Sequence, residues 1–354
     1  MSRPHHLRLF LWFFAAYWLM SAVVGVFLAE NTLHPPRRPL ISSEELQARS
    51  LAARQNVSMG SVSVTTPDGV ILRGWSLRSA AESEPAVILL HGMSDNRSGM
   101  IGYAELLLKH GFSVLLPDAR AHGSSGGEVA TYGLLERDDI RDWFDWLRLN
   151  QHPSCIFGLG ESMGAAQLLQ AIQTEPGFCA VVAESPFSSL REIAYDRVGQ
   201  SFHTGPWIGR SVLWPIVESA FFYMRWRYGF DMDQVSPRNS VAGSHVPILL
   251  MHGSADGNIP ARHSRLIRSR NMTVSLWEVP GAGHCGAFNA APIEFETRVT
   301  SWFSPSRSRS PHINHTASTS TMTCVRGIFC SAAYASIARK NVFSFSRLGD
   351  FSTK

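Results

Sequence analysis

Cysteine is scarce in this chain of 354 residues: there are five, with no Cys-x-x-Cys pair and no His/Cys spacing suited to a metal. No metal site is expected from such a pattern. Cys155 and Cys179 open two strand-like runs that should be neighbours, but a bridge between adjacent parallel strands is geometrically unusual, so none is expected. Cys285 reads as a packed loop residue. A basic surface is also lacking. The net charge is +4, yet residues 304–354 hold seven Lys or Arg against one Asp, a balance of +6, and everything before them is near −2. The basic isoelectric point belongs to the tail, which removes the main argument for nucleic-acid binding. Charge is missing altogether from Leu9 to Ala29. A run of that length can cross a hydrocarbon core, which needs about 20 apolar residues. A cleaved signal would have a shorter apolar region and a small-x-small site, and Val24 to Ala29 offers a poor one, with Phe27 where a small residue is wanted. The favoured reading is an uncleaved single-pass anchor. Arg3 and Arg8 lie before it and Arg37 and Arg38 after it; the short, acid-free N-terminus tips the remainder of the chain to the outside of the cytoplasmic membrane.

What the chain does contain is a sharp turn. Cys155-Ile156-Phe157 runs into Gly-Leu-Gly-Glu-Ser-Met-Gly over 158–164, then into the helix-forming run Ala165 to Ala171. A nucleophile at the apex of a strand-to-helix turn leaves no room for a Cβ two positions to either side, which places Gly160 and Gly164 around Ser162. The N–H of Met163 then stands at a helix N-terminus, able to donate to a developing oxyanion. An acid and a histidine follow in chain order. Val246 to Met251 is an apolar run ending in a loop with Asp256, and Thr273 to Val279 ends in a loop with His284. Both loops fall at the carboxyl ends of strands, on the edge that carries Ser162. His284 would take the serine proton, while Asp256 would hold the imidazole tautomer and stabilise its cation. The run Ala86 to Leu90 leads into His91-Gly92-Met93-Ser94, where the Met93 N–H is the natural second oxyanion donor. His91 reads as a structural hydrogen-bonding residue.

With these motifs the chain resembles the α/β-hydrolase superfamily over roughly Val62 to Phe303. A further segment, Pro117-Asp118-Ala119-Arg120-Ala121-His122-Gly123-Ser124, is like a stretch after the fourth strand in many members. It looks most like bacterial serine hydrolases related to monoglyceride lipases and to prolyl oligopeptidase catalytic domains. The resemblance implies hydrolysis of an ester, thioester or peptide without a cofactor. It assigns Asp118 and His122 to fixing their loop, not to chemistry. The substrate class is a small-molecule ester, a lipid or a peptide.

Strand-like and helical runs alternate through the chain. A hairpin over Ser61–Thr66 and Val70–Leu77 is followed by strands at Ala86–Leu90, Phe112–Pro117, Cys155–Gly158, Cys179–Ala183, Val246–Met251 and Thr273–Val279. Helices fall at Gly99–His110, Leu135–Leu149 and Ala290–Phe303. That alternation predicts a mostly parallel, eight-stranded α/β sheet covered on both faces. The expected organisation is anchor 1–30, a Pro-containing linker 31–60 with a short helix near Ser42, a hydrolase domain 61–303, and a low-complexity tail 304–354. An aromatic-rich stretch, about 185–244, would form a helical cap over the catalytic edge. For any one ring the favoured reading is packing of the cap onto the sheet, while a few, with Trp207, Trp214, Phe222 and Trp226 as candidates, are expected to face an apolar pocket. The leading function is a serine esterase; a peptidase, and an inactive anchored interaction module, are the alternatives.

Overall fold

A computed structural model describes residues 3–79, 83–204 and 206–304. The expected tail, 304–354, lies outside the described residues apart from Ser304. The chain opens with α1 (Arg3–Leu33) and α2 (Ser42–Arg54). Next come β1 (Ser58–Thr65), β2 (Ile71–Arg78), β3 (Ala86–Leu90), α3 (Ile101–Lys109), β4 (Ser113–Pro117), α4 (Glu136–Asn150), β5 (Ile156–Glu161), α5 (Ser162–Thr174) and β6 (Ala180–Glu184). An inserted helical segment follows: α6 (Leu190–Ser201), α7 (Pro206–Arg210), α8 (Trp214–Tyr228) and α9 (Pro237–Ser240). The chain then returns to β7 (Ile248–Gly253), α10 (Arg262–Arg268), β8 (Ser275–Val279), α11 (Ala287–Ala290) and α12 (Pro292–Trp302).

The eight strands are ordered β1-β2-β4-β3-β5-β6-β7-β8. The β1–β2 and β2–β4 pairs are antiparallel and all later pairs parallel. Strands β3 to β7 are buried along their length, apart from half-buried Glu161. Period-2 alternation then assigns each side chain to one of two covered faces. Val87 and Leu89 meet α2, α3 and α12, while Ala86, Ile88 and Leu90 meet α4 and α5. Sheet order reverses at β3, because β4 lies on one side of it and β5 on the other. A crevice opens at the carboxyl ends there, where α/β sheets bind ligands. A cavity of about 440 Å³ lined by Ile172, Phe178, Ser240 and Val246 sits at the opposite, amino-terminal edge.

Three features depart from the expectations. Residues of the expected linker are built into the domain: Ala48, Leu51 and Ala52 of α2 are core residues, and Arg37 donates to the carbonyls of Ser125 and Gly127, both at 2.7 Å. A short α10 intervenes before β8 and buries Ile267. Cys155 and Cys179 are bridged, with Cα atoms 6.0 Å apart. They are not partners in register, since Phe157 pairs with Ala180 and the two cysteines lie one step out of line just before pairing begins. Their Cα separation falls within the range that a disulfide spans.

The cap is inserted between β6 and β7, as expected. Its rings divide differently from the expectation. Phe187 and Phe221 are buried, but Trp207, Trp214, Phe222 and Trp226 are exposed. Trp214, Phe222 and Trp226 point outward because α8 turns its other face, Ile216, Val217, Ala220 and Met224, into the protein; Trp207 stands on α7.

The bridge closes a loop with a sequence separation of 24, and removing it with Cys155→Ser/Cys179→Ser should lower unfolding free energy by about 3 kcal/mol. Denaturant titration measures this. Alkylation of both thiols without reductant would show that the bridge does not form.

Candidate active site

Strand β5 ends at Glu161 and α5 begins at Ser162, with no residue between them. Ser162 takes φ of +51°, a left-handed conformation that costs a non-glycine residue about 1–3 kcal/mol. Close packing holds it there. A Cβ on Gly160 would come within 2.6 Å of the Gly164 carbonyl carbon, and one on Gly164 within 2.4 Å of the Leu90 carbonyl oxygen. The two glycines are therefore required by contact, and the end of β3 is pressed against the first turn of α5.

His284 and Asp256 arrive from the next two loops. A Cβ on Gly253, at the end of β7, would come within 2.3 Å of the carbonyls of Ala282 and Gly283, so the two loops run backbone against backbone. His284 Nε2 lies 2.9 Å from Ser162 Oγ, and its Nδ1 lies 2.8 Å from Asp256 Oδ2. A carboxylate facing Nδ1 puts the ring proton there and leaves the Nε2 lone pair toward the serine. Asp256 Oδ1 accepts from the N–H groups of Asn258 and Ile259, both at 2.9 Å. His252, fully buried beneath the loop, has Nε2 2.7 Å from the Ile259 carbonyl and 3.3 Å from Asp256 Oδ2, with Ser264 Oγ at Nδ1. Burial raises the Asp256 carboxyl, but the hydrogen bonds of His252, His284 and Ile259 outweigh it and hold the group well below the ordinary carboxylate range.

The loop after β3 stands beside the serine. A Cβ on Gly92 would lie 3.6 Å from Ser162 Cβ. His91 donates through Nδ1 to the Gly92 carbonyl at 2.7 Å and accepts at Nε2 from Ala119 N–H at 3.1 Å, which makes it a neutral brace. Met93 follows, its sulfur 3.1 Å from the Tyr132 hydroxyl. Met163 is buried in the first turn of α5, where N–H groups have no partner four residues back. Asp118 accepts from Arg97 N–H, Arg97 Nη2 and Ser124 N–H, at 2.6–2.7 Å. His122 donates to the Arg120 carbonyl at 2.9 Å, and burial pushes it down to about 4. Both residues tie their loop, and neither reaches Ser162 Oγ through any hydrogen bond described.

A mostly parallel eight-stranded sheet with a strand-to-helix serine at its crossover defines an α/β hydrolase. The chain belongs to the α/β-hydrolase family described as serine aminopeptidase, S33, whose model matches residues 81–214, a span that stops short of Asp256 and His284. It is 32% identical over 229 residues to the Mycobacterium tuberculosis protein Rv2307c, covering 63% of this chain and 71% of that one. It is 28% identical over 206 residues to YqkD of Bacillus subtilis, where the match spans 57% of this chain and 65% of the relative, just under two thirds of its length. A shorter match, 30% over 127 residues, covers 34% of this chain and 48% of a thermostable monoacylglycerol lipase from a Bacillus species. Among solved structures, an esterase of Pyrococcus furiosus superposes with a TM-score of 0.59 at 26% identity, covering 76% of this chain and 98% of that one.

Sequence reasoning missed a buried acidic cluster behind the serine. The Tyr103 hydroxyl lies 3.3 Å from Glu161 Oε2 and 3.1 Å from Glu184 Oε2. Gly92 N–H also donates to Glu161, and Ala287 N–H donates to Glu184 Oε1 at 2.8 Å. Three segments thus meet on two carboxyls: the loop after β3, the serine turn and the loop that carries His284. One hydroxyl has one proton, so it can donate to only one of the two acids and must accept from the other. Burial, with Glu184 and Asp95 nearby, pushes Glu161 up to about 8, which assigns the extra proton to it. Glu161 was visible as the residue before Ser162, and Glu184 as an acid closing an apolar strand. Tyr103 carried no signal, because its neighbours come from other segments.

A neutral Glu161 has a consequence for stability. Folded, it stays protonated up to about pH 8; unfolded, it ionises near 4.5. Its contribution is therefore complete below pH 4.5 and is lost as pH rises toward 8. Glu161→Gln, a neutral isostere, should flatten the fall in thermal stability between pH 5 and pH 8. An unchanged slope in the variant would mean that Glu161 is ionised in the fold.

Proposed function

We propose that this protein is a serine hydrolase that cleaves a carboxylic ester or related acyl bond. The observation that carries the reading is the hydrogen-bonded chain from Ser162 Oγ through His284 to Asp256, at 2.9 and 2.8 Å. Ser162 Oγ attacks the acyl carbon while His284 Nε2 takes its proton. Asp256, kept ionised, stabilises the imidazolium. The N–H groups of Met93 and Met163 receive the carbonyl oxygen as it becomes an oxyanion. The C–O bond to the leaving group breaks, and His284 returns the proton to the departing alcohol. A water, deprotonated by His284, then releases the acid and restores Ser162. No step draws on a cofactor or a metal.

The ester reading is favoured by the similarity to an esterase and, over a shorter span, to a monoacylglycerol lipase. The second reading, an aminopeptidase, rests on the family's description. It requires turnover of aminoacyl amides, which a pure esterase would leave uncut. We further read α1 as an uncleaved anchor. It is the one helix among the described residues long and apolar enough to cross a membrane, with a mean hydropathy of 2.0. The Cys155–Cys179 bridge supports a domain outside the cytoplasm, where disulfides persist.

A fluorophosphonate probe should label the protein once, at Ser162. Ser162→Ala should abolish labelling and lower kcat by about 10⁴ or more. Undiminished turnover in that variant would sink the assignment. Adding Asp256→Asn to His284→Ala should cost little beyond the single change, because residues acting as a unit are non-additive. Effects that multiply would show that Asp256 works separately from His284.

A further inference from the structure

Helix α1 does not leave the domain cleanly. Its C-terminal half lies parallel to α8 of the cap. The Trp18 ring is 5.7 Å from that of Trp214 and perpendicular to it. A Cβ on Gly25 would come within 2.6 Å of the Ile216 carbonyl oxygen. Glu30 accepts from the hydroxyls of Tyr223 and Tyr228, at 2.5 and 2.8 Å. At the other end of the contact, the Tyr17 hydroxyl donates to the Val212 carbonyl. Ser21, Ala29 and Leu33 are buried by this packing.

The docking limits the length of helix that is clear of the protein. Only residues before Tyr17 extend beyond the cap. The uncharged ones among them, from Leu9, rise only about 12 Å, at 1.5 Å per residue. A hydrocarbon core is about 30 Å thick. A crossing by the uncharged run must therefore take in residues beyond Tyr17, to the level of about Ala29, and these lie alongside α8. The part of the cap at that level cannot stay in water.

That part is built for lipid. The end of α6, α7 and the turn into α8 present Phe202 at 50% exposure, Trp207 at 75%, Val212 at 56% and Trp214 at 40%. In water such a patch carries a standing cost; at a bilayer interface Trp rings are at home. We propose that this cap tip is a bilayer-docking surface, inserted beside α1. The inference rests on the reading of α1 as an anchor.

The tip also adjoins the serine. Gln200 Nε2, two residues before Phe202, donates to the Gly257 carbonyl next to Asp256 at 3.1 Å. The Tyr132 hydroxyl, which touches Met93, donates to the Thr32 carbonyl near the end of α1 at 2.8 Å. Anchor, tip and nucleophile thus form one contiguous region, and an ester held in the outer leaflet meets the site without crossing water. The substrate class that follows is a lipid-resident acyl ester.

The test uses the full chain in phosphatidylcholine nanodiscs and a carbene reagent confined to the acyl phase, with labelled peptides mapped by mass spectrometry. Labelling is expected in α1 up to about Ala29 and at Phe202, Trp207, Val212 and Trp214. Met272 and Ile293, equally exposed but outside the cap, should remain unlabelled. Labelling confined to α1 would overturn the docking surface while leaving the anchor intact. No labelling of α1, or a mature chain starting near Glu30, would overturn the anchor and the docking surface with it. A kinetic arm is independent of the labelling. Trp207→Ser/Trp214→Ser should leave kcat/KM on a water-soluble butyrate ester unchanged and lower turnover of a bilayer-embedded monoacylglycerol by about tenfold, the loss of two interfacial rings. Equal effects on both substrates would indicate damage to the fold and refute the interfacial role.

Discussion

The rest of this structure depends on one close approach, that of Gly164 to the end of β3. The Leu90 carbonyl oxygen occupies the place where a side chain at 164 would begin. This contact lets α5 start directly on β5, forces Ser162 into a left-handed conformation and sets it beside Gly92. The turn is strained locally and can persist only because the sheet below it is buried on both faces. Stability stored in that core is what holds the serine in an otherwise unfavourable geometry.

Around the turn, electrostatics are arranged in two opposed ways. In front of the serine, Asp256 collects hydrogen bonds from two imidazoles and two backbone N–H groups, and stays ionised although buried. Behind it, Glu161 and Glu184 share Tyr103, and for Glu161 burial outweighs the hydrogen bonds. Two carboxyls on either side of Ser162 are thus shifted in opposite directions. The difference lies in the number of donors that each can reach, not in depth of burial. The rear pair also receives N–H groups from the loops carrying Met93 and His284, so it joins those two loops.

The cap joins this centre to the first helix. Its buried face, with Phe187, Phe221 and Met224, is continuous with Met163 on one side and with Ala29 and Leu33 on the other. Its outer face is left to Trp207, Trp214, Phe222 and Trp226. Within α8 the two populations are Phe221 and Met224 on the inner face and Trp214, Phe222 and Trp226 on the outer, so a segment rich in rings packs a core and still presents an apolar exterior.

Much of the architecture was legible in the chain itself, because its determinants are local. A Gly-x-Ser-x-Gly turn between a strand and a helix is a steric statement about neighbouring residues, and so Ser162 could be placed from sequence. Apolar runs separated by helical segments give the order of the strands, and their carboxyl ends give the edge on which Asp256 and His284 stand. What sequence could not decide depends on distance in space between segments far apart in the chain. Whether Cys155 meets Cys179 turns on a one-residue offset in register. Which cap rings face outward turns on the face that α8 offers to α1. Tyr103 joins two acids 58 and 81 residues away, and His252 slips beneath Asp256, with no periodicity to announce either. The reason is physical. Backbone sterics and the sheet period act over a few residues and leave a written pattern, whereas burial and charge state belong to the environment that forms only when the segments meet.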